Sequence, residues 1–239
     1  MTSPHQPIVI IGGGVIGSAI AYFLTFQQPG CDVIVVERDP TYRFASTSLS
    51  SSSIRTQFSN PINIQISRFG AQFIRDFPEL MAVNGDRPDL AFKENGYLFL
   101  ADQKGFDVLK RLHQTQLDNG ADVTLLDTEA LIHRFPWVNP DSLAGGTYGE
   151  KDEGWFDNYG IMNGFRRKAR SLGVEYVENE VVQVLREGDV ITGVRLGDGQ
   201  LIGCGQLVNT AGTRGRQVAR LAGLDIPVEA RRRSLFVFD

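Results

Sequence analysis

The chain has 239 residues, 42% of them apolar and 22% charged, with a formal net charge of −4. That is the composition of a folded protein long enough to bury a sizeable core, as one large domain or two small ones. The mildly acidic balance excludes the basic footprint of a nucleic-acid binder, and no apolar run approaches the roughly 20 residues of a membrane-spanning helix.

The N-terminal residues MTSPHQP carry no basic region and lead straight into an apolar run, so a cleaved signal peptide is not expected. Cys31 and Cys204 lie far apart without CxxC spacing, which fits a reduced, cytoplasmic setting. His5, His113 and His133 have no partner at metal-ligand spacing, and no metal site is expected.

Ile8 to Ile11 is an uninterrupted apolar run bounded by glycine and reads as a buried parallel strand. Val15, Ile16, Ala19, Ile20, Phe23 and Leu24 then recur at helical spacing, which places Gly12-x-Gly14-x-x-Gly17 at a strand-to-helix turn. Gly12 permits the turn, Gly14 admits a pyrophosphate next to the backbone, and Gly17 lets helix and strand approach closely. The first helical N–H groups and the positive end of the helix dipole face the diphosphate. A second strand, Asp32 to Val36, ends in Glu37, placed to accept both ribose hydroxyls of an adenosine and to disfavour a 2′-phosphate.

Ala45 to Arg55 is rich in serine. Its composition is that of a flexible linker, whereas its position between a nucleotide-fold strand and a helix suits a cofactor-lining loop. A helix follows with Asn60 as N-cap and Pro61 in its first turn. Ile62, Ile66, Phe69, Phe73 and Phe77 form an apolar stripe expected to face the core, and Pro78 is expected to end the helix. Residues 84 to 89 form a turn-rich exit from this region.

Residues 91 to 149 read as an α+β segment with antiparallel strands, suited to gripping a substrate. Its expected elements are a strand at Gly96 to Leu100, a helix from Gln103 to Asn119, a strand at Thr124 to Leu126, a helix capped by Asp127 and stopped by Pro136, and a strand at Gly145 to Gly149. A helix opened by Asp157 and Asn158 runs to Leu172, and Val174 to Val177 returns to the parallel sheet. Val181 to Leu185, Val190 to Leu196 and Gln200 to Cys204 alternate with glycine turns as a three-strand meander. Gln206 to Gly212 is a strand ending in small residues, followed by a helix to Ala222. Val228 to Phe238 reads as a last strand opening on Arg231, Arg232 and Arg233. Its unpaired apolar edge implies either a covering neighbour or a longer chain.

The segments IVIIGGGVIGSAIAYFL with VIVVERD, STSLSSSSIRTQFSNPINIQIS, GWFDNYGIMNGFRRKAR and LVNTAGTRGRQVARLAG resemble the FAD-dependent amine oxidoreductases grouped with D-amino-acid oxidase, glycine oxidase, sarcosine oxidase and dimethylglycine dehydrogenase. The sarcosine-oxidase-like and opine-oxidase-like branch is the most similar. The resemblance implies an α/β fold: a Rossmann-type FAD-binding domain with its meander over residues 1–86 and 150–226, and a substrate domain over 87–149 and 227–239. It implies FAD held by Gly12, Gly14, Gly17, Glu37 and Arg38; by Ser46, Thr47, Ser48, Ser52 and Ser53 on the loop; by the Val182 backbone; and by Thr210, Ala211 and Gly212.

Arg55 falls where such enzymes bind the substrate carboxylate, although an arginine at a loop end is equally at home in solvent. The implied reaction is oxidation of the C–N bond of an amino acid or N-alkyl amino acid, with hydride transfer to flavin N5 and no nucleic-acid or membrane partner. A homo-oligomer or an electron-acceptor protein would accompany the small-molecule substrate. Two departures stand out. Ser52-Ser53 replaces a Gly-Gly pair common in close relatives, and family members continue well beyond residue 239, where the residues that activate oxygen would lie. The catalytic set and the mode of flavin attachment are therefore not named from this chain. The alternative classes are a FAD-containing assembly or scaffold protein that acts through partner binding, with the terminal strand and its arginines as the contact, and a catalytically incomplete fragment.

Overall fold

A computed structural model describes residues 6–237. The chain divides into two compact units, one of residues 1–51, 81–88 and 158–239, the other of residues 52–80 and 89–157. Residues 52–80 thus group with 89–157, where the sequence-based partition places them with the nucleotide-binding region.

In the first unit, β1 (Ile8–Ile11), β2 (Val33–Glu37), β8 (Glu175–Glu178) and β12 (Gln206–Asn209) form one parallel sheet in the order β12-β1-β2-β8. The apolar runs are continuous because both faces are covered. On one side α1 (Val15–Gln27) packs against α5 (Asn158–Ser171) through Tyr22, Phe23 and Phe165. On the other lies the antiparallel meander β9 (Val181–Glu187), β10 (Val190–Leu196) and β11 (Leu201–Gly203). Val9, Ile11 and Val36 meet Val184, Val194, Leu196 and Cys204 in the core between sheet and meander. Cys204 is fully buried there, and burial raises its thiol pKa. A 3₁₀ turn at Gly212–Arg214 leads into α6 (Gly215–Leu221).

The second unit contains α2 (Pro61–Leu80), α3 (Gln103–Asp118) and α4 (Thr128–Arg134) around an antiparallel sheet in the order β4-β6-β5, formed by β4 (Tyr97–Ala101), β5 (Val123–Asp127) and β6 (Gly145–Gly149). Asp102 and Asp127 cap α3 and α4 by accepting the N–H groups of Gly105 and Ala130. A short antiparallel pair, β3 (Ser53–Ile54) with β7 (Gly154–Trp155), joins segments distant in sequence.

Three expectations are corrected. The α2 stripe is core only at its C-terminal end: Ile62, Ile66 and Phe69 are exposed and Phe73 is half-buried, while Phe77 is buried together with Ile64, Ala71 and Ile74 from outside the stripe, Ile64 packing on Ala121 and Val123. Two apolar faces share this helix, and periodicity does not say which one finds a neighbour. Pro78 lies inside the last turn rather than ending α2, and the helix runs on to Leu80 without the hydrogen bond that residue 78 would have given the Ile74 carbonyl. Val228 to Val237 forms no strand, because among the described residues no edge is paired with it. Phe238, the last residue of that expected strand, and His5 lie outside the described residues.

Candidate functional site

The glycine turn is shaped by contacts that leave no room for side chains. Gly12 has φ +104°, and a Cβ there would lie 2.6 Å from the Thr210 carbonyl oxygen. A Cβ on Gly17 would lie 1.8 Å from the Gly12 oxygen, which holds α1 against the end of β1. Gly13, not singled out from the sequence, is equally constrained, since its Cβ would meet the Tyr42 hydroxyl at 2.8 Å. Gly14 differs: the nearest protein atom to its Cβ position is Thr47 Oγ1 at 3.4 Å, an ordinary contact. Protein packing therefore does not demand glycine at 14, whereas a ligand backed onto this turn would.

Gly14 is also the N-cap of α1 and supplies no side-chain cap, and the first turn contains no acid. One exposed donor is met by the serine-rich loop: Thr47 Oγ1 accepts the Val15 N–H at 3.2 Å. Asn158, read from sequence only as a helix opener, donates through Nδ2 to the Thr47 and Ser50 carbonyls, each at 2.8 Å. The loop is thus tied to both α1 and α5 and is not a free tether. Within it the Ser48 hydroxyl is buried without a protein partner, and Ser46 is exposed.

Glu37 stands at the tip of β2. One carboxylate oxygen accepts the Gly13 N–H at 2.8 Å and the other the Asp39 N–H at 2.9 Å, so the group is locked in place with lone pairs to spare. Arg38 beside it is exposed. Thr210 donates from Oγ1 to the carbonyls of Gly12 at 2.7 Å and Ile11 at 3.0 Å, which pins the end of β12 to the glycine turn. Ala211 donates its N–H to Asn209 Oδ1 at 3.2 Å, and Gly212, at φ +55°, opens the 3₁₀ turn. The Val182 side chain is exposed on β9 between the buried Val181 and the next strand residues.

Below the turn, Tyr176 donates to Ser18 Oγ at 3.1 Å, and Ser18 donates to the Gly13 carbonyl at 2.7 Å. Tyr42 is buried beside them with φ 53° and an unpartnered hydroxyl. Burial pushes its pKa up to about 12, with Arg166 opposing and Glu37 adding to the shift. A folded-state pKa above the ordinary tyrosine value of 10.0 means the unfolded chain releases this proton first as pH rises. Stability is full below pH 10 and is lost between about 10 and 12, by roughly 2–3 kcal/mol. Urea melts at pH 9 and pH 11.5 are expected to show this loss, and Tyr42→Phe is expected to diminish it; an unchanged loss in the variant would assign the effect elsewhere.

In the second unit, Ser52 takes a left-handed backbone (φ 56°), a position suited to glycine and held by a serine at a cost of about 1 kcal/mol. Ser53 pairs with Trp155 across the β3–β7 ladder. The Arg55 guanidinium lies 4.7 Å from the Phe58 ring centroid, 5.1 Å from Phe99 and 5.5 Å from Tyr97. Among the described residues it forms no ion pair. Glu153, which sequence reasoning passed over, is fully buried close by in sequence to β7.

A parallel sheet with a glycine turn, a helix start whose N-cap is glycine and a fixed carboxylate on the neighbouring strand defines a dinucleotide-binding protein. Gly14, open on its ligand side, and the orphaned Ser48 hydroxyl fit a long cofactor lying along the turn and loop. The DAO family model, FAD dependent oxidoreductase, matches residues 7–239, and the chain belongs to this FAD-dependent family. The chain is 40% identical to FAD-dependent oxidoreductase domain-containing protein 1 of Xenopus laevis, over 96% of this chain and 53% of that protein. It is 27% identical to sarcosine oxidase subunit beta of Rhizobium meliloti (strain 1021), over 98% of this chain and 56% of that one. Among solved structures, L-proline dehydrogenase from P. horikoshii superposes with a TM-score of 0.79 at 26% identity, over 92% of this chain and 56% of the other. The chain spans about half the length of the curated relatives it matches.

Proposed function

We propose that this chain anchors FAD and part of the substrate in an oxidoreductase acting on the C–N bond of an amino acid or N-alkyl amino acid. The observation that carries the substrate half is Arg55, a guanidinium with aromatic rings beside it and, among the described residues, no carboxylate paired to it. Aromatic rings attract a guanidinium through their π faces without supplying an acceptor in its plane, so its N–H groups keep their capacity for a carboxylate. The names of the relatives, sarcosine oxidase subunit beta and L-proline dehydrogenase, support the same substrate class. Bound FAD supplies the acceptor for the hydride that leaves Cα.

The chain's own residues bind and orient. The N–H groups at the start of α1 hold the pyrophosphate, Glu37, fixed by the Gly13 N–H, accepts the ribose hydroxyls, and Thr210 keeps the turn in register with β12. Arg55 takes the substrate carboxylate and so anchors one end of the substrate. Anaerobic addition of sarcosine, proline or glycine to the FAD-loaded protein is expected to bleach the flavin bands, with methylamine, which lacks a carboxylate, far less effective. Arg55→Lys is expected to raise KM for the reactive amino acid by about 10–100-fold with a smaller change in kcat, the loss of one bidentate charged contact. No bleaching by any carboxylate-bearing amine would count against the assignment.

A further inference from the structure

We infer that Glu153 is a positioning residue for Arg55, an inference that rests on the reading of Arg55 as the carboxylate binder. Glu153 is fully buried, and its carboxylate accepts hydrogen bonds from four donors. Oε1 takes the Thr56 N–H at 2.7 Å, the Thr56 hydroxyl at 2.6 Å and the Gln57 N–H at 3.1 Å, while Oε2 takes Gln57 Nε2 at 2.8 Å. Among the described residues no cation pairs with it, so the charge is held by these oriented donors alone.

The arrangement acts on Arg55 from two directions. The Thr56 N–H belongs to the peptide plane that carries the Arg55 carbonyl, so the carboxylate fixes the backbone from which the guanidinium projects. Gln57 Nε2 also donates to the Tyr97 carbonyl at 2.8 Å, which ties the same carboxylate to β4, the strand bearing the Tyr97 and Phe99 rings. Glu153 in turn is seated from behind, since a Cβ on Gly149 would lie 2.3 Å from its carboxyl carbon, and its own carbonyl accepts the Gly96 N–H at 3.1 Å. One buried side chain therefore sets the spacing between the arginine and two of the rings against which it stacks.

A glutamate is required for this, because a glutamine of the same size turns an amide NH2 toward Gln57 Nε2, donor against donor. The test uses the FAD-loaded full chain and propionate, a carboxylate without an amine, titrated by its perturbation of the flavin spectrum. Glu153→Gln is expected to weaken propionate binding about tenfold at unchanged FAD occupancy, and Arg55→Lys at least as much. Thr56→Val, which removes only the hydroxyl donor, is expected to weaken it about threefold, and Thr56→Ser to restore it. Arg55→Lys weakening binding while both Glu153→Gln and Thr56→Val leave it intact would overturn the positioning role and spare Arg55. Should Glu153→Gln fail to hold FAD, wild-type propionate affinity in Thr56→Val would overturn it alone. A wild type with no propionate response, or one untouched by Arg55→Lys, would end both assignments.

Discussion

Gly17→Ala is expected to strip the protein of FAD and to destabilise it even without the cofactor. The added Cβ would stand 1.8 Å from the Gly12 carbonyl oxygen, a backbone atom that already accepts the Thr210 hydroxyl at 2.7 Å. Neither atom yields like a flexible side chain. Relief requires α1 to lift from β1 or the Gly12–Thr210 contact to open, and either one shifts the N–H groups at the start of α1. Overpacking of this kind costs about 1–3 kcal/mol or more, and the displaced turn loses its ligand as well. The control is Gly14→Ala, whose Cβ meets only Thr47 Oγ1 at 3.4 Å. That variant is expected to keep the apo-protein melting temperature of the wild type while binding FAD more weakly, because its methyl group projects to the side of the turn proposed to receive the pyrophosphate. Flavin content and apo-protein melting, measured on both variants, separate a packing glycine from a ligand glycine. Wild-type flavin content and melting in Gly17→Ala would refute the geometry described for the turn.

Glu153→Ala is expected to destabilise the protein as much as truncation of a large core side chain. Truncation leaves two backbone N–H groups, of Thr56 and Gln57, and the Thr56 hydroxyl buried without acceptors. Each unmet buried donor costs about 1–3 kcal/mol, and water entering the space recovers part of this, for a net loss of about 3–5 kcal/mol. With slopes of about 1–3 kcal/mol per molar urea, the midpoint is expected to fall by more than roughly 1 M. Hydrogen exchange is expected to localise the loss to the amides of Thr56, Gln57 and Gly96, which lie on the segments that Glu153 joins. A midpoint shift too small to measure would mean that these donors find other acceptors, and the network would carry no special weight.

The two variants fail for different physical reasons, and the difference bears on what was readable beforehand. Gly17 announces itself: its spacing from Gly12 and Gly14, between an apolar run and a helical pattern, has a local steric cause. Glu153 carries no such mark. It sits among other charged residues in Glu150-Lys151-Asp152-Glu153, and nothing in that run distinguishes the one side chain that turns inward. Its partners Thr56 and Gln57 are 97 and 96 residues away. The loop contacts of Asn158 and the burial of Tyr42 were illegible likewise, since the Thr47 and Ser50 carbonyls, the Arg166 guanidinium and the Gly13 turn that they meet belong to segments remote in sequence.

The sequence by itself determined the parallel strands, the glycine turn with Glu37 on the adjacent strand, the meander and the family. Each of these follows from constraints acting over a few residues: hydrophobic period, backbone freedom at glycine, turn residues between strands. Only the tertiary structure decided which apolar face of α2 is buried, that Val228 to Val237 forms no strand, that the serine-rich loop is tied down by Asn158 and Thr47, and that Arg55 is set among rings by a buried carboxylate. Burial and hydrogen-bond satisfaction are properties of what packs against a residue. A periodic pattern marks a face that can be covered, and only the neighbours supplied by the rest of the chain determine whether it is.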